Sequence, residues 1–260
     1  MHRRPSIATL QAVEAVARAA GRAIMDVYAS DFAVTGKPDA SPLTEADLRA
    51  EALITPALRA LLPGAPVVAE EAHARGECEA VVGQAGAAFW LVDPLDGTRE
   101  FVARSGEFTV NIALVRGGEP VLGVVYAPAL GRLYAGERDH GAWLDDAGGR
   151  REIRCRPVPA EGLHVVTSRV HGDRAAVDAL LQGRPVAQHM ATGSSLKFGL
   201  LASGLADVYP RYGRTMEWDT AAGQAVLVAA GGTVCDTAGQ PLRYGKPGFE
   251  NPHFVARGAT

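Results

Sequence analysis

Residues 90–101 of this chain read Trp-Leu-Val-Asp-Pro-Leu-Asp-Gly-Thr-Arg-Glu-Phe, and this stretch predicts a strand that ends in two carboxylates. The apolar run of residues 88–92 is typical of a buried strand. Asp93 and Asp96 follow it, and Pro94 restricts the backbone of the turn between them. The segment is compatible with an ordinary turn. Carboxylates held at a strand end are also suited to bind a divalent cation, so the interpretation depends on whether other acidic segments join them.

Two further segments carry carboxylates at the boundary of a predicted element. Residues 67–71 read Val-Val-Ala-Glu-Glu, and residues 217–223 read Glu-Trp-Asp-Thr-Ala-Ala-Gly, where Asp219 starts an alanine-rich helix. Taken singly, a Glu-Glu pair is common on protein surfaces and Asp219 could be a helix N-cap. Together the segments predict an all-oxygen site for Mg²⁺, which two-metal phosphatases build from several chain segments. The predicted ligands are Glu70, Asp93, Asp96 and Asp219.

The overall composition limits the class of protein. A chain of 260 residues can form one large domain or two small ones. The net charge of -3, with scattered basic residues, predicts no surface for nucleic acid. The basic start Met-His-Arg-Arg-Pro has no apolar segment behind it, and no apolar stretch approaches the roughly 18 residues of a membrane span. We therefore expect neither a signal peptide nor a transmembrane segment.

The cysteines and histidines indicate a reducing compartment. Cys78, Cys155 and Cys235 are few and far apart, with no C-x-x-C motif. The seven histidines show no H-x-x-x-H spacing, which disfavours a zinc site. Reduced thiols are typical of the cytoplasm, so we expect a cytoplasmic protein. The sequence leaves peripheral contact with the inner face of a membrane open.

Hydrophobic periodicity predicts a chain of mixed helices and strands. Helices are predicted at 6–29, 44–62, 172–182, 194–203 and 219–230. Strands are predicted near 66–69, 88–92, 108–115, 120–126, 132–136, 163–167, 205–209, 233–236 and 253–256. Residues 150–162, rich in Arg, Pro and Gly, are the predicted junction between two halves. Residues 1–155 would form an α+β half with most metal ligands, and residues 156–260 an α/β half with Asp219 and the substrate-binding residues.

Segments along nearly the whole chain resemble one known family. They lie at 41–47, 69–71, 90–101, 106–114, 123–128, 168–171, 193–198, 209–211 and 218–223. On these residues the chain resembles the lithium-sensitive, metal-dependent phosphatases that include inositol monophosphatases and fructose-1,6-bisphosphatases. Segments 90–101 and 193–198 are most similar to the 3′(2′),5′-bisphosphate nucleotidases of that family. The resemblance implies a layered α/β/α/β/α sandwich with the site between the halves, in a monomer or a homodimer.

The resemblance also implies a specific metal site. Glu70, Asp93 and the backbone carbonyl of Leu95 would bind one Mg²⁺. Asp93, Asp96 and Asp219 would bind a second, so that Asp93 bridges the two ions. A third, weaker ion near Glu70 is compatible with the same pattern. Two close cations neutralise a phosphate and stabilise the attacking and leaving oxygens of an in-line displacement.

Further residues would act on water and on the scissile phosphate. By resemblance, Asp47 would accept a hydrogen bond from Thr98, and Thr98 would orient the attacking water. Backbone N–H groups of Gly97 and Thr98 would bind the scissile phosphate at a helix start. Thr44 and Asp47 also fit a helix capping box with Asp in the usual Glu position, and both interpretations can hold together.

Basic and small residues carry the prediction of the substrate. Singly, each of these residues is as often a solvated side chain or a helix cap. By resemblance they would bind the 5′-phosphate and flank the nucleoside of 3′-phosphoadenosine 5′-phosphate, whose 3′-phosphate would be removed to leave AMP. An arginine suits a phosphate better than a sugar hydroxyl. The predicted substrate-binding residues, besides Gly97 and Thr98, are His171, Ser194, Ser195, Lys197 and Arg211.

Three other functions are alternatives to this prediction. The same two-metal chemistry could act on an inositol phosphate or a sugar bisphosphate. The chain could be a metal- and nucleotide-binding regulator without turnover, although a complete acidic set argues against this. An aspartyl-phosphate phosphatase would need a D-x-D arrangement, whereas Asp93 and Asp96 have D-x-x-D spacing. Glu217, beside Asp219, could weakly attract a cation or lie outside the site.

Overall fold

Two β-sheets alternate with three layers of helices in the computed structural model, which describes residues 6–36, 42–77, 88–169 and 174–259. The helices are α1 (Ile7–Tyr28), α2 (Glu45–Leu61), α3 (Glu70–Ala74), α4 (Thr98–Val102), α5 (Arg174–Leu181), α6 (Leu196–Ala202) and α7 (Glu217–Ala229). The first half contains the strands β1 (Val34–Gly36), β2 (Pro42–Thr44), β3 (Val67–Ala69), β4 (Ala88–Asp96), β5 (Thr109–Arg116), β6 (Glu119–Ala127), β7 (Arg132–Glu137), β8 (Gly141–Asp146) and β9 (Gly149–Ile153). The second half contains β10 (Leu163–Thr167), β11 (Val186–Ala191), β12 (Val208–Arg211), β13 (Thr233–Asp236) and β14 (Phe254–Arg257).

The larger sheet has seven strands in sequential order from β3 to β9. Strands β3 and β4 are parallel, and each later pair is antiparallel. One face is covered by α1 and α2, because both helices carry an apolar stripe at three- and four-residue steps. In α1 the buried stripe consists of Leu10, Val13, Ala17, Ala20 and Ile24. The outer helical layer therefore follows directly from the amphipathic pattern.

Helices α6 and α7 fill the space between the two sheets. The close approach of α7 requires Gly123 in β6, because a Cβ added there would lie 2.4 Å from the carbonyl oxygen of Ala222. The other sheet has five strands in the order β11-β10-β12-β14-β13. Its outer face packs against α5 through Val177 and Leu181. The order of layers is thus α/β/α/β/α, which confirms the predicted sandwich.

Most predicted elements are present, with differences where the apolar pattern is weak. Strand β4 continues to Asp96, although the apolar run ends at Val92, because its pairing with β5 continues past the apolar residues. Strands β8, β9 and β11 and the hairpin β1–β2 were not predicted. In β9 the first four residues are exposed, so the strand lacks the alternation that marks a half-buried strand.

The larger sheet ends at Ile153 and the smaller sheet begins at Leu163. The predicted junction of residues 150–162 therefore overlaps the end of β9, whereas the predicted boundary after residue 155 lies in the connection between the sheets. The division of the chain into two halves there stays a prediction. Among the helices of the described ranges, none has the length and apolar character needed to cross a membrane.

Candidate active site

A cavity of about 370 Å³ opens where the end of β4 meets the N-terminal ends of α3, α4, α6 and α7. It brings most of the predicted site residues to one place. Its lining includes Glu70, Asp93, Leu95, Asp96, Gly97, Thr98, Ser194, Ser195, Lys197, Arg211 and Asp219. Asp47 is completely buried and lies behind Thr98. His171, which was predicted to bind the substrate, lies outside the described residues.

A β-bulge in β4 aims two carboxylates into this cavity. Asp93 pairs with Asn111 and Asp96 with Thr109, so β4 has one more residue than β5 between these pairs. Side chains three positions apart point to opposite faces of a regular strand, and an extra residue changes that alternation. The bulge also lets Oδ1 of Asp93 accept a hydrogen bond from the Leu95 N–H at 3.0 Å. The Asp-Pro-Leu-Asp sequence therefore forms a β-bulge and not a simple turn.

Asp96 is held by a buried polar network that the sequence analysis missed. Its Oδ2 lies 2.9 Å from the Ser195 hydroxyl, which in turn accepts a hydrogen bond of 2.9 Å from Asn111 Nδ2. The amide oxygen of Asn111 accepts from the Thr109 hydroxyl at 3.0 Å. Thr109 and Asn111 are fully buried. The available signal was a pair of polar residues inside an apolar strand, since buried polar groups need partners.

Asp219 occupies the first turn of α7 but is not its N-cap. The helix begins at Glu217, and the Asp219 carboxylate accepts a hydrogen bond from the Met216 N–H at 2.8 Å. Asn251 donates to the Met216 carbonyl at 2.7 Å and so fixes this helix start. The pKa of Asp219 is raised well above its usual value, first by enclosure in the protein and then by the negative charges of Asp96 and Glu70. Three predicted ligands therefore lie close enough to affect one another.

Glu70 reaches the cavity because it begins α3 directly after β3. The next residue, Glu71, is buried, and its backbone N–H donates to Oε2 of Glu51 at 2.9 Å. Glu51 lies in α2 and also accepts a hydrogen bond from Arg75. Glu51 thus anchors the start of α3, a role that its sequence position in a helix did not reveal.

The donor set of the cavity fits a hard divalent cation. Four carboxylates and the carbonyl of Leu95 supply only oxygen, which is what Mg²⁺ prefers. Within the described ranges, no three His, Cys, Asp or Glu side chains are close enough together to hold an ion as they stand. Like charges repel, and the carboxylates of Asp93, Asp96 and Asp219 each accept a hydrogen bond from the protein.

Asp47 connects a helix cap with the cavity. Its Oδ2 accepts hydrogen bonds from the backbone N–H and the hydroxyl of Thr44, at 2.8 and 2.7 Å. Its Oδ1 faces the Thr98 hydroxyl at 3.4 Å, and that hydroxyl also lies 3.2 Å from the Leu95 carbonyl oxygen. The capping box is therefore present, and the same carboxylate is also oriented toward Thr98.

Two buried cationic side chains lie in the opposite wall of the cavity. Lys197 is 4% exposed and Arg211 is 9% exposed. The Lys197 ammonium donates to the carbonyls of Thr192 and Ser194, and its Nζ lies 5.2 Å from the centroid of the Tyr209 ring. Burial, opposed by the negative charge of Asp96 and aided by the positive charge of Arg211, lowers the pKa of Lys197 to about 8.

The loop before α6 is fixed by an ion pair that was not predicted. Glu107 accepts two hydrogen bonds from the Arg169 guanidinium, at 2.8 and 2.7 Å, and one from the Gly193 N–H at 2.8 Å. Gly193 has no room for a side chain, since a Cβ would lie 2.7 Å from Cγ of Glu100. Ser194, with φ of 44°, then turns the chain into the cavity.

Glu217 lies outside the cavity lining, which answers the question left open by the sequence. It is completely buried, and its carboxylate accepts hydrogen bonds from the backbone N–H groups of Gly245 and Lys246 and from the Lys246 ammonium. Glu217 therefore anchors the loop of residues 243–246 against α7.

Comparison with known proteins agrees with this geometry. Residues 7–257 match the model of the inositol monophosphatase family. The chain is 47% identical over 244 residues to the 3′(2′),5′-bisphosphate nucleotidase CysQ of Escherichia coli, covering 92% of this chain and 95% of that protein. It is 47% identical over 250 residues to the CysQ of Salmonella typhimurium, covering 94% of this chain and 98% of that protein.

Solved structures show the same architecture. The crystal structure of CysQ from Bacteroides thetaiotaomicron superimposes with a TM-score of 0.80 at 33% identity, covering 97% of this chain and 98% of that one. An inositol monophosphatase from Anabaena gives a TM-score of 0.75 at 25% identity, covering 96% and 90%. Members of the matched family are metal-dependent phosphatases that usually use Mg²⁺. The match over nearly the whole chain, the shared fold and the carboxylates around one cavity show that this chain belongs to the inositol monophosphatase family.

Proposed function

We propose that this chain is a Mg²⁺-dependent phosphatase that removes the 3′-phosphate of 3′-phosphoadenosine 5′-phosphate, giving AMP and phosphate. The observation that carries the proposal is the 47% identity to curated 3′(2′),5′-bisphosphate nucleotidases over more than nine-tenths of both chains. The cavity supports it, since carboxylates line one part and buried cations line another. In a substrate with two phosphates, the carboxylates would bind metal ions at the phosphate that is removed, and the buried cations would bind the other phosphate.

The metal ligands in this proposal are Glu70, Asp93, the Leu95 carbonyl, Asp96 and Asp219, with two or three ions per site. When bound, Mg²⁺ neutralises the scissile phosphate and lowers the pKa of a coordinated water. The protein's own contribution is to hold the carboxylates in place. The Leu95 N–H positions the Asp93 carboxylate, and the Ser195 hydroxyl positions the Asp96 carboxylate.

Asp47 and Thr98 are the proposed proton acceptor and water-orienting group. Thr98 Oγ can donate to Asp47 Oδ1 while its lone pairs accept a hydrogen bond from the attacking water. Asp47 is completely buried, and its other oxygen is already saturated by Thr44. The position of Oδ1 is therefore restricted, which is what a positioned general base requires.

Lys197 and Arg211 are proposed to bind the 5′-phosphate. Two of the three ammonium protons of Lys197 are directed at backbone carbonyls, so one remains for an anion. Arg211 donates through Nη2 to the Arg214 carbonyl at 3.2 Å, and a planar guanidinium matches the oxygens of a phosphate. Arg211 lies close enough to lower the pKa of Lys197, and two neighbouring cationic groups favour a dianion between them.

The proposal is tested by measuring phosphate release from 3′-phosphoadenosine 5′-phosphate, inositol 1-phosphate and fructose 1,6-bisphosphate with Mg²⁺ present. We expect kcat/KM to be highest for the nucleotide. A preference for inositol phosphate would support the inositol monophosphatase alternative, and a preference for fructose bisphosphate would support a sugar phosphatase. Tight nucleotide binding without phosphate release from any of the three would indicate a regulator.

A further inference from the structure

A second cavity, of about 260 Å³, lies on the outer face of the five-stranded sheet and shares no lining residue with the acidic cavity. Its floor consists of side chains on one face of β13 and β14, since Thr233 pairs with Arg257 and Cys235 pairs with Val255. Leu180, near the end of α5, forms one wall.

Arg257 is the cationic group of this second cavity. It is partly buried, and its guanidinium makes no hydrogen bond or ion pair with any residue in the described part of the chain. Burial lowers the pKa of Arg257, and the positive charge of Arg184 lowers it further, while Cys235 and Tyr212 act in the opposite direction. A partly desolvated arginine that has no ion-pair partner favours an anionic ligand.

Asp236 also lines the cavity but forms no ion pair with Arg257. Its Oδ1 accepts hydrogen bonds from the backbone N–H groups of Ala238 and Gln240, at 2.9 and 2.8 Å. The carboxylate therefore stabilises the turn after β13. Arg184, on the other side, is exposed and adds a second positive charge near the cavity.

We propose that this cavity binds a small organic oxyanion, with a phosphate, sulfonate or carboxylate group on Arg257 and a compact apolar body against Leu180, Val255 and Tyr212. The planar guanidinium presents paired N–H donors that match the two oxygens of such a group. The lining is otherwise more apolar than polar in character, as in small-molecule sites. Its volume is below the roughly 300–1,000 Å³ of pockets for drug-sized ligands, so a compact ligand fits and a whole nucleotide does not.

Phenylphosphonate is a suitable probe, because it combines a phosphonate with a flat apolar ring and has no phosphate ester for a phosphatase to cleave. The readout is the rate at which iodoacetamide alkylates Cys235, measured by peptide mass spectrometry with excess chelator to keep the acidic cavity metal-free. Cys155 is an internal reference, since burial raises the pKa of its thiol to about 11 and makes it slow to react.

We expect phenylphosphonate to slow alkylation of Cys235 in a saturable manner and to leave Cys155 unchanged. Arg257→Gln should weaken the apparent affinity by about tenfold or more, since a charged hydrogen bond to an oxyanion is lost. Arg49→Gln is the matched control, because Arg49 is an exposed arginine paired with Glu45 in α2, which packs against the larger sheet. Melting temperature and phosphatase activity of Arg257→Gln should match those of the wild type.

Benzylammonium tests the same idea in the wild-type protein, with a similar ring and the opposite charge. It should not protect Cys235. Absence of protection by phenylphosphonate, equal protection in Arg257→Gln, or equal protection by benzylammonium would each overturn the proposal.

Discussion

The hydroxyl of Ser195 lies 2.9 Å from Oδ2 of Asp96, and this contact joins the two halves of the chain at the acidic cavity. The same hydroxyl lies 2.7 Å from the Asp219 carbonyl oxygen and accepts a hydrogen bond from Asn111. One side chain therefore holds a carboxylate at the end of β4 beside the start of α7. We predicted Ser195 as a substrate-binding residue from sequence, and its contacts also support a positioning role at the metal site.

The first prediction concerns this contact. Ser195→Ala should weaken Mg²⁺ binding by roughly tenfold or more, since partners of metal-ligating carboxylates affect affinity on that scale. Isothermal titration calorimetry of the variant and the wild type measures the change. Ser203→Ala is the matched control in the same helix region, because the Ser203 hydroxyl donates to the Gly199 carbonyl and lies away from the carboxylates. Unchanged Mg²⁺ affinity in Ser195→Ala would exclude the positioning role.

The second prediction concerns the metal requirement. Excess chelator should abolish phosphate release, Mg²⁺ should restore it, and Ca²⁺ should inhibit, because Ca²⁺ takes more ligands at longer distances. Asp93→Asn should abolish turnover and keep the native circular dichroism spectrum, since the Asp93 carboxylate is proposed to bridge two ions. Full activity in chelator, measured by phosphate release, would contradict the proposed metal site.

The third prediction separates the two roles of Asp47. Asp47→Asn should lower kcat by about 10²–10⁴-fold, the usual scale for a positioned proton acceptor. Thr44→Ala removes the hydroxyl side of the capping box and should cost about 0.5–2 kcal/mol of stability with a small effect on kcat. Thermal melts and kcat are measured for both variants. If Asp47→Asn lowers the melting temperature and leaves kcat unchanged, Asp47 is a cap and not a base.

The fourth prediction concerns the 5′-phosphate. Lys197→Ala and Arg211→Ala should each lower kcat/KM for the 3′,5′-bisphosphate by about ten- to a hundredfold, since each removes a charge-assisted hydrogen bond. The same variants should lose little activity on adenosine 3′-monophosphate, which lacks the 5′-phosphate. This comparison cancels general damage to the site. Equal losses on both substrates would assign these residues to the scissile phosphate or to the fold.

The fifth prediction is a pH dependence that only the bisphosphate shows. The pKa of Lys197 is lowered to about 8, so its ammonium is charged below that pH and loses its proton as the pH rises through 8. The ratio of kcat/KM for the 3′,5′-bisphosphate to that for the 3′-monophosphate should therefore fall above pH 8. Lys197→Arg keeps its charge and should remove this fall. A ratio that is independent of pH in the wild type would show that the Lys197 charge does not bind the 5′-phosphate.

Local sequence rules were sufficient for the elements with strong apolar patterns. The helix of residues 6–29 and the strands of residues 108–115, 120–126 and 163–167 were all predicted, because their residues interact mainly with near neighbours in sequence or with one buried face. Strands β9 and β11 were missed, since most of their residues are exposed and form a strand only when a neighbouring strand supplies hydrogen bonds.

The sequence by itself determined the identities and order of the carboxylates and the strand and helix starts that carry them. Only the tertiary structure decided how Asp96, Ser195 and Asn111 share hydrogen bonds, because Asp96 and Ser195 are separated by 99 positions. It also decided that Glu217 points away from the cavity while Asp219, two residues later, lines it. The direction of each of these side chains depends on which buried polar groups can form hydrogen bonds with it. Those groups lie in distant segments of the chain, which local periodicity does not relate to one another.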